Sequence, residues 1–357
     1  METFAGKRAL VTGGAGFIGS NFVRLWLASH PQVYLVDLDA LTYAGNLRNL
    51  DDLPRADRHI FVQGDICDQD LVLRLLYEHD IDTIVHLAAE SHVDNSISGP
   101  AAFVQTNLIG TFTLLEAARR VWLDEKHWDA SRCRFHHVST DEVFGSLTEA
   151  AAPFRETSQY VPNSPYSATK AGSDHLARAY HHTYKLPVTI SNCSNNYGPR
   201  QHDEKFIPTV IRSCMGLKPI PVYGDGRNVR DWLHVEDHCS GLLAVLHYGV
   251  PGETYNIGCG NERRNIEIVK LICSVFDVLY PERGPHERLL TFVPDRPGHD
   301  WRYAIDNAKA RTELGWSPKH TFEEGIRSTV EWFVKRRPEW DAERSADRAA
   351  RGSNTSR

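Results

Sequence analysis

A run of closely spaced glycines near the amino terminus constrains the fold more than any other feature of the sequence. The run Gly13-Gly14-Ala15-Gly16-Phe17-Ile18-Gly19 follows the strand-like segment Ala9-Leu10-Val11-Thr12 and opens a helical pattern. Glycine permits a tight turn and lets backbone amides approach a pyrophosphate, and the start of a helix attracts negative charge. In this strand–turn–helix context the motif predicts a dinucleotide-binding βαβ unit rather than a plain glycine turn.

Short apolar or β-branched runs alternate with longer helical patterns through about residue 195. The predicted strands are 8–12, 32–37, 59–63, 82–87, 133–138 and 187–192. The predicted helices lie near 17–29, 68–79, 101–123 and 166–184. This alternation is typical of βαβ units, so we expect an α/β fold with a Rossmann-type doubly wound parallel sheet.

The alternation of strands and helices becomes less regular after Tyr197-Gly198-Pro199, where prolines and glycines separate shorter elements. This change predicts a smaller carboxyl-terminal substrate-binding domain. We expect the dinucleotide-binding Rossmann domain at 1–195 with a return segment near 231–260, and the substrate-binding domain at 196–230 and 261–340. Residues 341–357 are rich in Arg, Asp, Ser and Ala and are expected to form a flexible tail.

Composition excludes several classes of function. The 357 residues are 41% apolar and carry a formal charge of −6, with no basic run interleaved with aromatics, so no nucleic-acid partner is expected. Seven cysteines without CxxC spacing argue against a disulfide framework or a zinc site, and no metal is predicted. The amino terminus resembles no signal peptide and no apolar stretch could cross a membrane, so we expect a cytoplasmic protein without a membrane partner.

Acidic residues follow the second and third predicted strands. Asp37 and Asp39 lie about twenty residues past Gly19, and either could bind the adenosine ribose. A carboxylate at this place repels a 2′-phosphate and therefore favours NAD over NADP. Asp65 follows the third strand and could meet the adenine or cap the next helix. Small residues in Leu87-Ala88-Ala89 allow close approach of a cofactor after the fourth strand.

Two further groups predict proton-transfer chemistry. Tyr166 and Lys170 are four residues apart on a predicted helix, so the ammonium is expected to lower the pKa of the phenol from about 10. Thr140, Asp141 and Glu142 follow a predicted strand, at the edge where α/β sheets bind ligands. Two carboxyls beside a hydroxyl can act as acid and base. Taken singly, each group could instead be a surface ion pair or a solvated loop.

These features resemble the extended short-chain dehydrogenase/reductases, and longer strings resemble the dTDP-glucose 4,6-dehydratase family within them. The resemblance runs from about Arg8 to Phe333. The strings that carry it are Leu41-Thr42-Tyr43-Ala44-Gly45-Asn46, His86 to Asp94, Ser139 to Val143, Asn192 to Pro199, and Asp295-Arg296-Pro297-Gly298-His299-Asp300. The resemblance implies an NAD-dependent enzyme, a tightly bound and regenerated NAD, dTDP-glucose as substrate, and a homodimer formed by the helices near 101–123 and 166–184. Burial of these helices in a monomer core is the alternative.

The resemblance also assigns residues. Thr140 would hold the sugar C4 oxygen, Asp141 would act as acid, Glu142 as base, and Tyr166 with Lys170 would start the redox step. Implied cofactor residues are Gly13, Gly16, Phe17, Ile18, Gly19, Asp39, Leu41, Thr42, Asp65, Ile66, Leu87, Ala88, Ala89, Ser91, Thr106, Tyr166, Lys170 and Asn196. Implied substrate residues are Ser91, Thr140, Asn195, Lys205, Phe206, Pro221, Val222, Tyr223, Arg230, Asn265, Asp295, Arg296, His299 and Tyr303.

Within that set, Arg230 and Arg296 suit a diphosphate because guanidinium offers paired donors, although surface salt bridges are the alternative. Two positions depart from the family pattern. Phe144 stands where tyrosine is usual, and Phe206 stands where leucine is usual. The first removes a hydroxyl near the catalytic loop, and the second is expected to reshape one wall of the site.

The resemblance implies three chemical stages: C4 oxidation, elimination of water across C5 and C6, and hydride return to C6. A related 4-epimerase or decarboxylase would also oxidise C4, but simple epimerisation needs no acid to expel a C6 hydroxyl. A non-catalytic NAD-sensing module is an alternative of a different class. The intact set of Thr140, Tyr166 and Lys170 argues against that module.

Overall fold

A seven-stranded parallel sheet organises the first part of the chain. In this computed structural model the described residues are 6–295 and 299–336. The strands in chain order are β1 (Arg8–Thr12), β2 (Tyr34–Asp39), β3 (His59–Gln63), β4 (Thr83–His86), β5 (Arg134–Thr140), β6 (Val188–Cys193), β7 (Asn195–Tyr197), β8 (Ile220–Tyr223), β9 (Val229–His234), β10 (Thr254–Ile257), β11 (Glu262–Arg264) and β12 (Leu290–Val293).

The large sheet has the order β10-β6-β5-β4-β1-β2-β3, and all of its neighbours pair in parallel. The chain runs outward from β1 to β3 and then crosses back to β4 on the other side of β1. This reversal is the topological switch point, where ligands bind in open α/β sheets. The observed sheet confirms the predicted fold class, and the six predicted strands all form within about two residues of their expected positions.

Helices cover both faces of this sheet. The helical elements are Phe17–Ser29, Gln69–Glu78, Val93–Ser98, a continuous run over 100–125, Pro165–Tyr184, Phe206–Gly216, Val235–Tyr248, Asn265–Leu279, Ala308–Glu313 and residues 322–336. The elements Gln69–Glu78, 100–125 and Pro165–Tyr184 pack on one face around the fully buried Trp122. Phe17–Ser29 and Val235–Tyr248 pack together on the other. Each face therefore has its own apolar core, as a doubly wound sheet requires.

A separate apolar core forms after the first six strands. It joins Phe206–Gly216, Asn265–Leu279 and the helical residues 322–333 around side chains such as Ile211, Ile272 and Phe333. Two small sheets accompany it, one of order β11-β9-β7 and one that pairs β12 with β8. Within the predicted return segment, Val235–Tyr248 covers the large sheet and β10 extends its edge beside β6.

Two predictions concern the ends of the chain and its setting. The expected flexible tail at 341–357 lies outside the described residues. Among the described helices, none combines the length and apolar character needed to cross a bilayer. All seven cysteines are free thiols.

Candidate active site

A cleft of about 330 Å³ opens at the carboxyl ends of the central strands, at the switch point between β1 and β4. It brings together all five predicted catalytic residues, namely Thr140, Asp141, Glu142, Tyr166 and Lys170. It is also lined by the predicted cofactor residues Gly13, Gly16, Phe17, Ile18, Gly19, Asp39, Thr42, Asp65, Ile66, Leu87, Ala88, Ala89, Ser91, Thr106 and Asn196. Leu41 lies outside the lining, where its amide donates to the Asp39 carboxylate at 2.8 Å.

The glycine turn leaves no room for a side chain at Gly13 or Gly19. A Cβ at Gly19 would lie 2.1 Å from the Gly13 carbonyl oxygen, and one at Gly13 would lie 2.8 Å from the backbone of Ala88. Gly13 also has a φ of +76°, which residues with side chains rarely adopt. The turn is therefore held close to β4 and to the start of helix Phe17–Ser29, as backbone recognition of a pyrophosphate requires.

The two aspartates at the end of β2 have different surroundings. Asp39 lines the cleft and accepts hydrogen bonds from the amides of Ala15 and Leu41. Asp37 is fully buried beneath the turn, where it accepts the Gly14 amide at 3.0 Å and lies 3.6 Å from the His59 ring. Asp39 therefore lies at the cleft, where its contact with a ribose stays a prediction, whereas Asp37 supports the turn.

Asp65 lines the cleft and does not cap the following helix. Its carboxylate accepts the Cys67 amide at 2.9 Å, while Asp68 accepts the Leu71 amide and caps helix Gln69–Glu78. The capping role that was open for Asp65 therefore belongs to Asp68. This leaves Asp65 at the cleft wall beside Ile66.

Asp141 is a cleft carboxyl whose pKa is strongly perturbed. Its side chain is buried, and burial, the Glu142 carboxylate and Asp231 raise its pKa well above the usual value near 3.8. Arg230 and a hydrogen bond from Thr140 act in the opposite direction. Its Oδ2 has no hydrogen-bond partner among the described residues. The environment therefore favours a protonated carboxyl that faces a ligand space, which is the form that a general acid needs.

Thr140 connects this acid to the rest of the site. It ends β5, and its hydroxyl accepts the Glu142 amide at 3.3 Å, which caps the short turn Asp141–Phe144. The same hydroxyl donates to Asp141 at 3.4 Å and hydrogen-bonds Tyr166. The local turn therefore places an acid, a second carboxyl, a hydroxyl and a phenol at one strand end.

The prediction that the pKa of Tyr166 is lowered is wrong. Burial and the Glu142 carboxylate raise the pKa of Tyr166 well above 10. Burial also lowers the pKa of Lys170, whose ammonium donates to the Val138 carbonyl at 2.8 Å. The i, i+4 spacing brings both residues to the cleft, but desolvation and a nearby carboxylate decide the protonation of the phenol.

A buried carboxylate behind Lys170 was not predicted from the sequence. Asp174 lies one helical turn beyond Lys170 and favours its charged form. It accepts from the Tyr160 hydroxyl at 2.8 Å and lies 3.1 Å from the His137 ring. The signal was available, since positions 166, 170 and 174 share one helix face. Asp174 does not line the cleft, and its contribution is the electrostatic one of favouring the charged form of Lys170.

Two asparagines line the cleft with unsatisfied acceptors. The side-chain oxygens of Asn195 and Asn196 are buried and have no hydrogen-bond partner among the described residues. Buried amide oxygens are normally hydrogen-bonded, so these point to donors on a ligand. Further lining residues that the sequence argument did not single out include Glu90, Cys193, Gln201 and His202.

The predicted substrate residues divide into two groups. Ser91, Thr140, Asn195 and Lys205 line the cleft, and the Lys205 ammonium donates to the Ser91 carbonyl at 3.0 Å. The others that the structure describes lie outside its lining, and they are Phe206, Pro221, Val222, Tyr223, Arg230, Asn265, Asp295, His299 and Tyr303. Arg296 lies outside the described residues.

Arg230 is buried rather than extended into the cleft. It donates to the carbonyls of Val229, Asp300 and Trp301, and its guanidinium lies 4.3 Å from the centre of the Tyr303 ring. Tyr303 in turn donates to the Asp300 carboxylate. The diphosphate role of Arg230 remains a prediction. The alternative of a surface salt bridge does not fit, because the Arg230 side chain is buried.

Comparison with known proteins places the chain in a family. Residues 10–329 match a family model described as GDP-mannose 4,6 dehydratase. A dTDP-glucose 4,6-dehydratase from Xanthomonas campestris pv. campestris (strain B100) is 56% identical over 329 residues, covering 91% of this chain and 92% of that protein. The chain belongs to the dTDP-glucose 4,6-dehydratase family. A Neisseria gonorrhoeae member is 52% identical and covers 94% of this chain and 97% of its own length.

Solved structures of the family have the same fold. DesIV, a dTDP-glucose 4,6-dehydratase from Streptomyces venezuelae solved with NAD and dTDP bound, matches with a TM-score of 0.85 and 46% identity. That match covers 94% of this chain and 99% of DesIV. A UDP-glucose 4-epimerase from Thermotoga maritima matches with a TM-score of 0.81 at 28% identity, covering 92% of this chain and 99% of that one. The fold is therefore shared with epimerases. The relatives at 46–56% identity, which are dehydratases, distinguish the dehydratase family from the epimerases.

The two departures from the family pattern lie behind the cleft. The Phe144 ring is buried against Phe154 and Tyr160, each with ring centres 5.2 Å apart, and it does not line the cleft. Phe206 begins helix Phe206–Gly216 and packs 6.1 Å from Trp232 in the separate core. Neither side chain forms a wall of the cleft described above.

Proposed function

We propose that this chain is an NAD-dependent dTDP-glucose 4,6-dehydratase, which converts dTDP-glucose to dTDP-4-keto-6-deoxyglucose and water. The observation that carries the proposal is the placement of Asp141, a buried carboxyl with a raised pKa, in one cleft with Glu142, Thr140 and Tyr166. Loss of a hydroxyl requires an acid that still holds its proton near neutral pH. A simple 4-epimerase has no such requirement.

The cleft residues fit NAD as the cofactor. A Cβ at Gly13 or Gly19 would clash with neighbouring backbone, and Asp39 lines the same cleft, where it would meet the ribose. A carboxylate at this position disfavours a 2′-phosphate, so the proposal is NAD and not NADP. NAD, when bound, would accept a hydride from C4, return it to C6, and so be regenerated in each turnover.

Oxidation at C4 comes first because the C5 hydrogen becomes acidic only when a carbonyl stands beside it. Tyr166 would take the C4 hydroxyl proton, and Thr140 would hold the same oxygen. Burial raises the pKa of Tyr166, so its phenolate requires stabilisation by nearby positive charge. A cationic nicotinamide ring and the Lys170 ammonium are the positive charges available for this.

Elimination then divides the proton transfers between two adjacent carboxyls. Glu142 would remove the C5 proton, and Asp141 would give its proton to the departing C6 hydroxyl, which leaves as water. A proton returns to C5 when hydride returns to C6, which completes the 4-keto-6-deoxy sugar. This division requires two carboxyls with different pKa values. The surroundings of Asp141 raise its pKa and so provide the carboxyl that holds its proton.

The proposed function is tested with purified protein and no added cofactor. Incubation with dTDP-glucose should produce a keto sugar, detected by its absorbance in alkali, while UDP-glucose and GDP-mannose serve as comparison substrates. Turnover of another nucleotide sugar without turnover of dTDP-glucose would overturn the named substrate. Formation of dTDP-galactose alone would indicate a 4-epimerase.

The role of Glu142 has its own test. Glu142→Gln should block exchange of the C5 hydrogen with solvent deuterium while leaving some C4 oxidation, since only the base for C5 is lost. Rate losses for removal of a catalytic base are about 10²- to 10⁴-fold. Mass spectrometry of recovered sugar measures the exchange. A variant that exchanges the C5 hydrogen at the parent rate would remove Glu142 from this role.

We also propose a cytoplasmic homodimer. Seven free thiols suit a reducing compartment. On the helices expected to pair, four apolar side chains are more than two-fifths exposed, namely Val104, Ile109, Phe112 and Tyr184. A Phe112→Asp substitution at 44% exposure should shift the mass measured by light scattering from dimer to monomer. A monomeric parent protein would contradict the dimer.

A further inference from the structure

A second cluster of titratable side chains lies away from the cleft. His234 ends β9, Glu236 lies in the first turn of helix Val235–Tyr248, and His320 belongs to the segment that precedes residues 322–336. Each residue places one potential ligand atom within 4.8 Å of the other two. None of them lines the cleft, so the proposed dehydratase chemistry does not account for the cluster.

Asp237 orients the ring of His320. This carboxylate is buried, accepts the His320 amide at 3.0 Å, and lies 3.1 Å from Nδ1 of the same residue. The other ring nitrogen, Nε2, lies 3.4 Å from the Glu236 carboxylate. Metal-binding histidines are commonly held by a carboxylate at one ring nitrogen while the other nitrogen binds the metal. Asp237 at Nδ1 therefore leaves Nε2 of His320 for an ion.

His234 supplies a buried nitrogen without a partner. Its ring is only 4% exposed, its centre is 4.1 Å from the centre of the His320 ring, and its Nε2 has no hydrogen-bond partner among the described residues. Its Nδ1 accepts the Glu236 amide at 3.4 Å, a long and weak contact.

We propose that His234, Glu236 and His320 form a binding site for a divalent transition-metal ion of the zinc class, with Asp237 as the supporting carboxylate. Two imidazoles and one carboxylate are ligands that Zn²⁺ accepts, with a fourth position for water. The Glu236 side chain is 59% exposed and can turn toward the two rings. The rings themselves must separate slightly to place both nitrogens on one ion.

The ion would join two segments that are distant in the sequence. It would tie the segment around His320 to the end of β9 and the start of helix Val235–Tyr248. Because the cluster lies outside the cleft, its expected effect is on stability and not on turnover. Binding of a ligand to the folded state alone raises the melting temperature, and the rise grows with the logarithm of the ligand concentration relative to its Kd.

The test uses full-length, tag-free protein stripped with EDTA and titrated with Zn²⁺ in a calorimeter. We expect one saturable Zn²⁺ site per chain, and visible d–d absorption of a four-coordinate ion when Co²⁺ replaces it. His320→Gln and Glu236→Gln should each weaken Zn²⁺ binding by at least about 10-fold. His182→Gln removes an exposed histidine elsewhere and should leave binding unchanged.

Thermal unfolding separates this site from adventitious binding. Zn²⁺ should raise the melting temperature of the parent and of His182→Gln, but not that of His320→Gln, while circular dichroism checks that each variant folds. Absence of saturable binding, or binding that both cluster variants leave undiminished, would overturn the proposal. Dehydratase turnover should be the same in EDTA and in Zn²⁺, so failure of this site would leave the proposed function untouched.

Discussion

The two ends of the cleft depend on different physical properties. At the β1 and β2 end, recognition rests on backbone that approaches closely because Gly13 and Gly19 have no side chains. At the β5 end, it rests on buried ionisable groups, including Asp141 and Tyr166. The first, which we call the glycine end, depends on the space that missing side chains leave. The second, which we call the charged end, depends on the protonation of groups that are shielded from water. Substitutions should therefore separate cofactor occupancy from chemistry.

The largest effect is expected at the charged end. Tyr166→Phe removes the proposed base for the C4 hydroxyl while keeping the ring, so kcat should fall by about 10²- to 10⁴-fold. Bound NAD, measured after release from denatured protein, should stay at the parent level. Tyr180→Phe is the matched control, because Tyr180 lies on the same helix and donates to Glu116 outside the cleft. A Tyr166→Phe enzyme with near-parental kcat would contradict the role.

At the glycine end we expect the opposite pattern, in which bound NAD is lost while the chemistry stays intact. Gly19→Ala places a methyl group 2.1 Å from the Gly13 carbonyl, so the turn must shift. Overpacking of this kind costs about 1–3 kcal/mol, which corresponds to roughly 5- to 150-fold weaker NAD binding. Turnover should recover when excess NAD is added.

Gly99→Ala provides the control for the glycine turn. The nearest atom to its added Cβ is 3.7 Å away, which is ordinary contact. Its NAD content and turnover should match those of the parent. If Gly19→Ala instead retained full NAD and lost only kcat, the proposed division between the two ends of the cleft would be wrong.

The features that the sequence predicted well are local ones. The glycine turn, the six strands and the Tyr166/Lys170 helix each follow from residues close together in the chain. Protonation of Tyr166 was not predictable in this way, because Glu142 reaches it from a different element and burial dominates. Asp174, which follows Lys170 by one turn, acquires its role only when Tyr160 and His137 close around it.

The predicted substrate residues Arg230 and Phe206 show the same limit of prediction from local sequence. The resemblance named Arg230 and Phe206, but their surroundings come from distant segments: Arg230 binds carbonyls at Asp300 and Trp301, and Phe206 packs near Trp232. A string match gives the type of residue, whereas its burial depends on the separate core after residue 195. Such contacts require the tertiary structure.

The smallest effect concerns stability, and it follows from the raised pKa of Asp141. An unfolded chain ionises this carboxyl near pH 3.8, whereas the folded chain keeps the proton to higher pH. Between those two pKa values the folded state binds more protons, so the free energy of unfolding falls as pH rises, by at most about 1.4 kcal/mol per pH unit. Asparagine does not ionise and removes this dependence.

Asp141→Asn should therefore gain stability relative to the parent as pH increases above about 4, until the pKa of the folded state is passed. Urea unfolding of cofactor-free protein across that range measures the difference, and kcat of the same variant should fall because the acid is lost. Asp225→Asn, at an exposed position paired with Arg227, should show no such gain above pH 4. A stability difference between Asp141→Asn and the parent that is independent of pH would mean that Asp141 is already ionised. An ionised Asp141 could not protonate the leaving hydroxyl, so the charged end would lose its acid.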